Sequence, residues 1–192
     1  MIAGLVTVAA LVPTGCGTVR GGYESAPYRV VKGNGKFELR HYPTLVVVQT
    51  SMDMEGTRSD ASFSRLFRFI TGNNQIKQKI PMTTPVFMSG ADTNATMSFV
   101  MPAKMKASEV PKPSDASVVV HEMMEGRFAV LRYSGGRNAK NETESLERLR
   151  AWMKQEGLKE LSTPIYGYFD PPWTPAFLRR NEVMLRTEAG HP

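Results

Sequence analysis

Apolar residues recur along this chain in two periods, one of two residues and one of about 3.6. Tyr28 to Lys32 has a short strand pattern, closed by Gly33-Asn34-Gly35. Lys36 to Tyr42 then alternates, with Phe37, Leu39 and His41 on one side and Glu38, Arg40 and Tyr42 on the other. An Asn-Gly step between such runs predicts a hairpin. After Pro43, the β-branched run Thr44 to Thr50 predicts a buried strand. Phe63, Leu66, Phe67 and Ile70 fall at i, i+3, i+4 and i+7 and predict a first helix. Ser59 or Asp60 caps it, Gly72-Asn73 stops it, and Arg65 and Arg68 take the opposite face. Gln75 to Met88 reads as extended chain whose Pro81 and Pro85 suit sheet edges, and Thr96 to Met101 is a further strand.

The second half repeats this plan. Strands at Ser117–His121 and Arg127–Tyr133 precede a helix from about Asn141, capped by Asn141 and Glu144, with Leu146, Leu149 and Met153 as its stripe and Gly157 as its stop. Ile165–Phe169 and Glu182–Arg186 complete the set, and a linker rich in Pro and Lys, Lys104 to Ser114, joins the halves. Each half is thus strand, strand, helix, strand, strand. One α+β domain follows: a duplicated unit forming one sheet, curved or closed, with two helices packed on it and a groove on its axis.

Composition adjusts this picture little. Of 192 residues, 41% are hydrophobic and 22% charged, which argues against a disordered chain or a multi-span membrane protein. The net charge of +6 is spread along the chain, and Lys104 with Lys106 is as dense as most clusters get. No basic run tracks phosphates, so nucleic acid is not an expected partner, and the charge reads as a solvated surface with a weak preference for acidic partners.

The N-terminus carries more information. Met1 to Val12 is almost entirely apolar and uncharged, shorter than the ~20 residues that span a bilayer, and matches the core of a secretory signal. Pro13-Thr14-Gly15-Cys16 follows and resembles a bacterial lipobox, in which the cysteine is lipidated and becomes the new N-terminus. Pro13 stands where such motifs usually carry Leu, and no Lys or Arg precedes the apolar stretch. Cys16 is the single cysteine, so an intramolecular disulfide is excluded. The other reading is a buried N-terminal segment whose cysteine is a small hydrophobe. On the lipobox reading residues 1–16 are a signal peptide, 17–27 a tether containing Gly17, Gly21 and Gly22, 28–187 the folded domain and 188–192 a tail. The protein is then exported and anchored by lipid in the bacterial cell envelope, in the periplasm or at the outer membrane.

Several blocks in order resemble the SOUL haem-binding family: Phe37-Glu-Leu-Arg-His-Tyr42; Phe63, Leu66, Phe69-Ile70, Gly72 and Asn74; Lys79-Ile-Pro-Met-Thr-Thr-Pro-Val86; Tyr168 with Pro171-Pro172; and Asn181-Glu-Val183. The resemblance covers about residues 28–187. It implies a pseudo-two-fold, barrel-like antiparallel sheet with two packed helices, and noncovalent binding of haem or a related tetrapyrrole. It implies no settled catalytic role, and the chain is expected not to be an enzyme. The Walker loop, the dinucleotide fingerprint, the His-Glu-x-x-His pair and the Cys-x-x-Cys motif are all absent from the sequence.

The resemblance places a proposed axial iron ligand at His41, an imidazole suited to the task; the other reading is a strand histidine that packs beside Tyr42. His121 and His191 are weaker candidates. The exposed edge of the first helix, with Phe63 and Phe67, is the expected porphyrin face, and Met52 and Met54 add soft surface. Arg65, Arg68, Arg179 and Arg180 are candidates for the propionates, each with an ordinary surface charge as its alternative. Trp173, on a stiff proline loop, covers a ligand or plugs the barrel end. A rival function is an envelope interaction protein whose groove takes a peptide, a lipid or another small apolar ligand.

Overall fold

The computed structural model describes residues 22–52, 61–90 and 94–188. Eleven strands and two helices follow in the order β1 (Glu24–Ser25), β2 (Arg29–Asn34), β3 (Phe37–Tyr42), β4 (Leu45–Ser51), α1 (Ser62–Ile70), β5 (Thr83–Thr84), β6 (Val86–Ser89), β7 (Thr96–Val100), β8 (Val119–Met123), β9 (Gly126–Tyr133), α2 (Ala139–Gln155), β10 (Ile165–Tyr168) and β11 (Asn181–Thr187). Nine of the strands form one antiparallel sheet in the order β2-β3-β9-β11-β10-β6-β7-β4-β8. Leaving out β2, that order is symmetric about the β10–β6 pair. The first strand of each half pairs with the second strand of the other, β3 with β9 and β8 with β4. The expected duplication is therefore real, and its halves are interlocked by strand exchange.

The sheet curls into a half-barrel. Tyr42, Leu45, Val47, Phe87, Val100, Phe128, Val130 and Met184 meet in a single cluster, joined by Met123 and Ile165. Side chains from strands so far apart in a sheet can touch only across a concave face. The helices cover the outer face. α1 lies on β4 and β7, and α2 on β9 and β11.

Both helices bury the same pattern, Ser62, Leu66, Phe69 and Ile70 in α1 and Ser145, Leu149, Trp152 and Met153 in α2. Each ends on a glycine in the left-handed region, Gly72 at φ 117° and Gly157 at φ 66°. There the next residue's N–H reaches back to the third-last helical carbonyl, Asn73 to Arg68 and Leu158 to Met153, at 2.9 Å each.

Several local expectations shift. The hairpin loop is Gly35-Lys36, with positive φ at Gly35 only, because Asn34 pairs with Phe37 as the last strand residue. α2 starts three residues earlier than the Asn141–Glu144 box implies; Asn138 is the cap, its carbonyl oxygen accepting from the Asn141 N–H at 2.9 Å. α1 begins at Ser62 behind Ala61, with no side-chain cap; Ser59 and Asp60 lie outside the described residues. β6, expected at an edge, is central; Pro85 lies just before it and leaves its ladder intact. The linker is packed: Val110 is in the core under α1, and Gln75 N–H donates to the Lys112 carbonyl. Ser25 is bonded to Thr84 and Ala26 enters the concave core, so these two residues of the expected tether belong to the fold.

Candidate functional site

β6 and β10 lie between the two helices, on the pseudo-two-fold axis, and form the floor of a groove. Val86 and Met88 from β6 pair with Tyr168 and Tyr166 from β10, all four pointing to the helix-bearing face. One wall is α1. Phe63 stands edge-on to Phe99 of β7 at 5.2 Å, and Phe67 stacks on Phe63 at 5.9 Å with 14° between planes. Both phenylalanines are 45% exposed, large for aromatic rings on a core-packed helix. The cause is helical register: Phe69, absent from the predicted stripe, is buried in their place. At the matching positions α2 carries Leu146 and Arg150, so the aromatic flank belongs to the first half alone.

The second wall is polar. The Tyr168 hydroxyl donates to Glu142 at 2.6 Å, and Arg150 makes a two-bond pair with Glu160 at 2.9 and 2.7 Å. Burial, with the Tyr133 and Glu142 neighbours, raises Tyr168 well above the ordinary phenol range, so it remains a donor. Six methionines lie in or against the core under α1 (Met52, Met82, Met88, Met97, Met101 and Met105), which gives this half an adaptable lining.

The predicted site residues are not brought together. Phe63 and Phe67 are placed as expected. Arg65 lies on the opposite flank of α1, with Nε donating to Thr50 Oγ1 at 3.0 Å and Nη2 to the Ser51 carbonyl at 2.5 Å. Arg68 is exposed in the last turn. Met52 is buried in the core rather than offered to a ligand; Met54 and Cys16, like His191, lie outside the described residues. His41 sits on β3 between Arg29 and Arg127, with β9 and β11 between it and the groove floor. His121 is on the exposed edge strand β8. Arg179 is spent on the carbonyls of Thr174, at 2.7 Å, and of Pro172. Arg180 is spent on Glu182 and the Tyr28 hydroxyl. Trp173 is 81% exposed and plugs nothing.

A second constellation escaped the alternation pattern. Arg40 has no exposed surface and faces the concave core. Its Nη1 and Nη2 donate to Glu182 at 2.7 and 2.9 Å, Nε to Glu38 at 2.7 Å, and Nη1 also to the Tyr42 hydroxyl at 2.9 Å. The Tyr28 ring lies 4.0 Å from its guanidinium carbon. Arg132 backs Glu38 at 2.8 Å and Arg180 backs Glu182 at 2.6 Å. Burial pushes the Glu182 carboxyl upward, but the Arg40 and Arg180 guanidiniums outweigh it and hold Glu182 below its usual value. The signal was present in the sequence: Glu38 and Arg40 share one face of a strand whose other face is apolar, and the buried partner at 182 lies in another strand.

Two helices on a duplicated, curled sheet, with an aromatic-walled groove on its axis, define the fold class. The chain belongs to the SOUL heme-binding protein family, which it matches over residues 23–186. Among curated relatives, human heme-binding protein 2 is 28% identical over 163 residues, covering 79% of this chain and 78% of the relative. The mouse protein of the same name is 26% identical over 173 residues, covering 83% and 82%. A solved structure of an uncharacterized conserved protein from Listeria innocua shares the fold at TM-score 0.60 and 13% identity, over 80% of this chain and 92% of that one.

Haem fits this surface in part. The stacked phenylalanines beside Met88 suit the face of a planar macrocycle, and Arg150, paired with Glu160, stands on the facing wall. The histidines of the described residues lie outside the groove, so the site fits the ring better than it fits the iron. The cavity beside α2, lined by Arg150, Met153, Lys154, Leu158 and Glu160, has a volume of 260 Å³. That is below the ~300–1,000 Å³ of typical ligand pockets, and the open groove is the better seat.

Proposed function

We propose that the protein binds haem or a related tetrapyrrole noncovalently in the groove between α1 and α2, as a carrier, buffer or scavenger without turnover. The exposed, stacked Phe63–Phe67 pair beside the groove floor carries this reading, and family membership supports it. Affinity comes from the apolar face of the macrocycle, with Arg150 exchanging Glu160 for a ligand carboxylate; bound iron would supply a Lewis-acid centre. Titration with haemin and with metal-free protoporphyrin, followed by absorption, tests it. Both bind within about threefold of each other, His41→Ala leaves both unchanged, and Phe63→Ala/Phe67→Ala weakens both by about tenfold or more, as expected from lost apolar burial. A Soret shift that needs His41, or no saturable shift at micromolar protein, overturns it.

The same reading places the protein in the cell envelope, exported by Met1–Val12 and anchored through a lipidated Cys16; the one cysteine at the end of an apolar leader supports this. Mass spectrometry of the mature N-terminus checks it, and an unmodified Met1 or Cys16 ends the lipid-anchor reading. The rival occupant of the groove, an apolar peptide or lipid, predicts copurification of that ligand and no porphyrin binding.

A further inference from the structure

The loop between β10 and β11 presents its apolar side chains outward. Trp173 is 81%, Phe177 76% and Leu178 57% exposed. The loop is nevertheless stiff. Pro171, Pro172 and Pro175 restrict it, and Arg179 clamps it from within through the Thr174 and Pro172 carbonyls. The Gly135 N–H holds the Ala176 carbonyl at 3.0 Å, and Asn181 in turn holds the Gly135 carbonyl at 3.0 Å. A flexible loop would fold such side chains back onto the protein; this one holds them out.

The surroundings are basic. Lys36 in the β2–β3 turn, Arg137 before α2 and Lys104 after β7 are exposed at the same end of the central strands. Two acids beside the loop are tied to backbone, Glu24 accepting the Ala103 N–H at 2.8 Å and Asp170 the Arg180 N–H at 2.6 Å. Exposed aromatics on a rigid tip ringed by cations match the interface of an anionic bilayer, where Trp and Lys or Arg collect.

Chain entry points the same way. β1 runs parallel to β5, just before β6, and β6 begins opposite the last residue of β10. The polypeptide therefore enters the domain at the end that carries the loop. Between Cys16 and Gly22 the chain reaches at most about 20 Å when fully extended. If Cys16 is anchored, that end is held within headgroup range; this part rests on the anchoring reading above.

We propose that residues 171–178 form a membrane-docking tip that inserts Trp173 and Phe177 into the interfacial layer of a bilayer rich in anionic lipid. The chain from Gly17 onward retains every core residue among the described residues and lacks Cys16, so it tests the tip alone. Its two tryptophans serve as probe and reference, since Trp152 is buried under α2 while Trp173 is exposed. With vesicles of equimolar phosphatidylglycerol and phosphatidylcholine, Trp173 emission shifts to the blue and is quenched by acyl-chain-brominated lipid. Partition falls by about tenfold or more in Trp173→Ala/Phe177→Ala, as the lost apolar burial implies. Lys36→Glu/Arg137→Glu weakens binding and its salt dependence. Absence of a shift and of quenching overturns the tip even if Cys16 proves lipidated. Binding by this chain alongside an unmodified Cys16 leaves the tip standing and removes the anchor. A dimer dispersed by Trp173→Ala, or Trp173 quenched by haemin but not by brominated lipid, assigns the loop to another occupant and overturns the proposal.

Discussion

Glu182→Gln removes one charge from the concave core and keeps the side-chain volume. In the native fold Glu182 accepts two bonds from Arg40 and two from Arg180, and it and Arg40 are fully enclosed. The variant leaves Arg40 with Glu38 as its remaining ion-pair partner and takes from Arg180 its pair with Glu182. Breaking a buried pair from one side costs ~3–5 kcal/mol, because the surviving charge stays desolvated. At ~2–4 °C per kcal/mol for a domain of this size, Tm falls by about 6–20 °C. The double variant Glu182→Gln/Arg40→Met relieves the stranded charge and loses less than the sum of the two single variants. The pH dependence has a definite sign. A carboxyl held below its usual value adds stability that is fully present above the ordinary carboxylate range and lost as pH falls through its depressed folded value. Thermal unfolding followed by circular dichroism from pH ~7 to ~3 reads both effects, since unperturbed carboxylates titrate near ~4. A Tm for Glu182→Gln within about 2 °C of the wild type, under the same conversion, refutes the buried-charge reasoning. So does an acid limb as steep in the variant as in the native protein.

Other substitutions probe single joints. Asn74 is buried and makes three bonds, donating to the Phe69 and Gln78 carbonyls at 3.1 and 2.7 Å and accepting the Gln78 N–H at 2.9 Å. Asn74→Ala strands those groups and lowers stability by ~2–4 kcal/mol in denaturant unfolding. Asn138→Ala removes the α2 cap and costs ~1 kcal/mol in the same assay, whereas Asn141→Ala, inside the helix, leaves the cap intact. Phe63→Ala/Phe67→Ala, which weakens porphyrin binding, lowers Tm only slightly, because the rings lie on the open flank of α1 and not under it; a collapse of the fold would show that they are core instead.

Local order and the repeat were legible along the chain. Period-two runs, a helical stripe and glycine stops at 72 and 157 placed most strands and both helices to within a few residues, since these signals act between near neighbours. Which residues of a stripe are buried was not legible. Phe63, Leu66, Phe67 and Phe69 offer two overlapping stripes, and only the position of β7 and β4 beneath α1 turns Phe69 inward and leaves Phe63 and Phe67 out. His41 illustrates the same limit: its strand was predicted, but strand exchange put β3 beside β9, away from the groove floor.

By itself the sequence determined a duplicated α+β unit, its family and the chemistry on offer: aromatics on the first helix, methionines around it, one cysteine after an apolar N-terminal run. The tertiary structure alone decided which of these groups meet. Pairing across the halves depends on long-range register and on curling of the sheet, and these turned Glu38, Arg40 and Glu182 from apparent surface charges into a buried network. They also set the aromatic pair beside the axis and held Trp173 out into solvent.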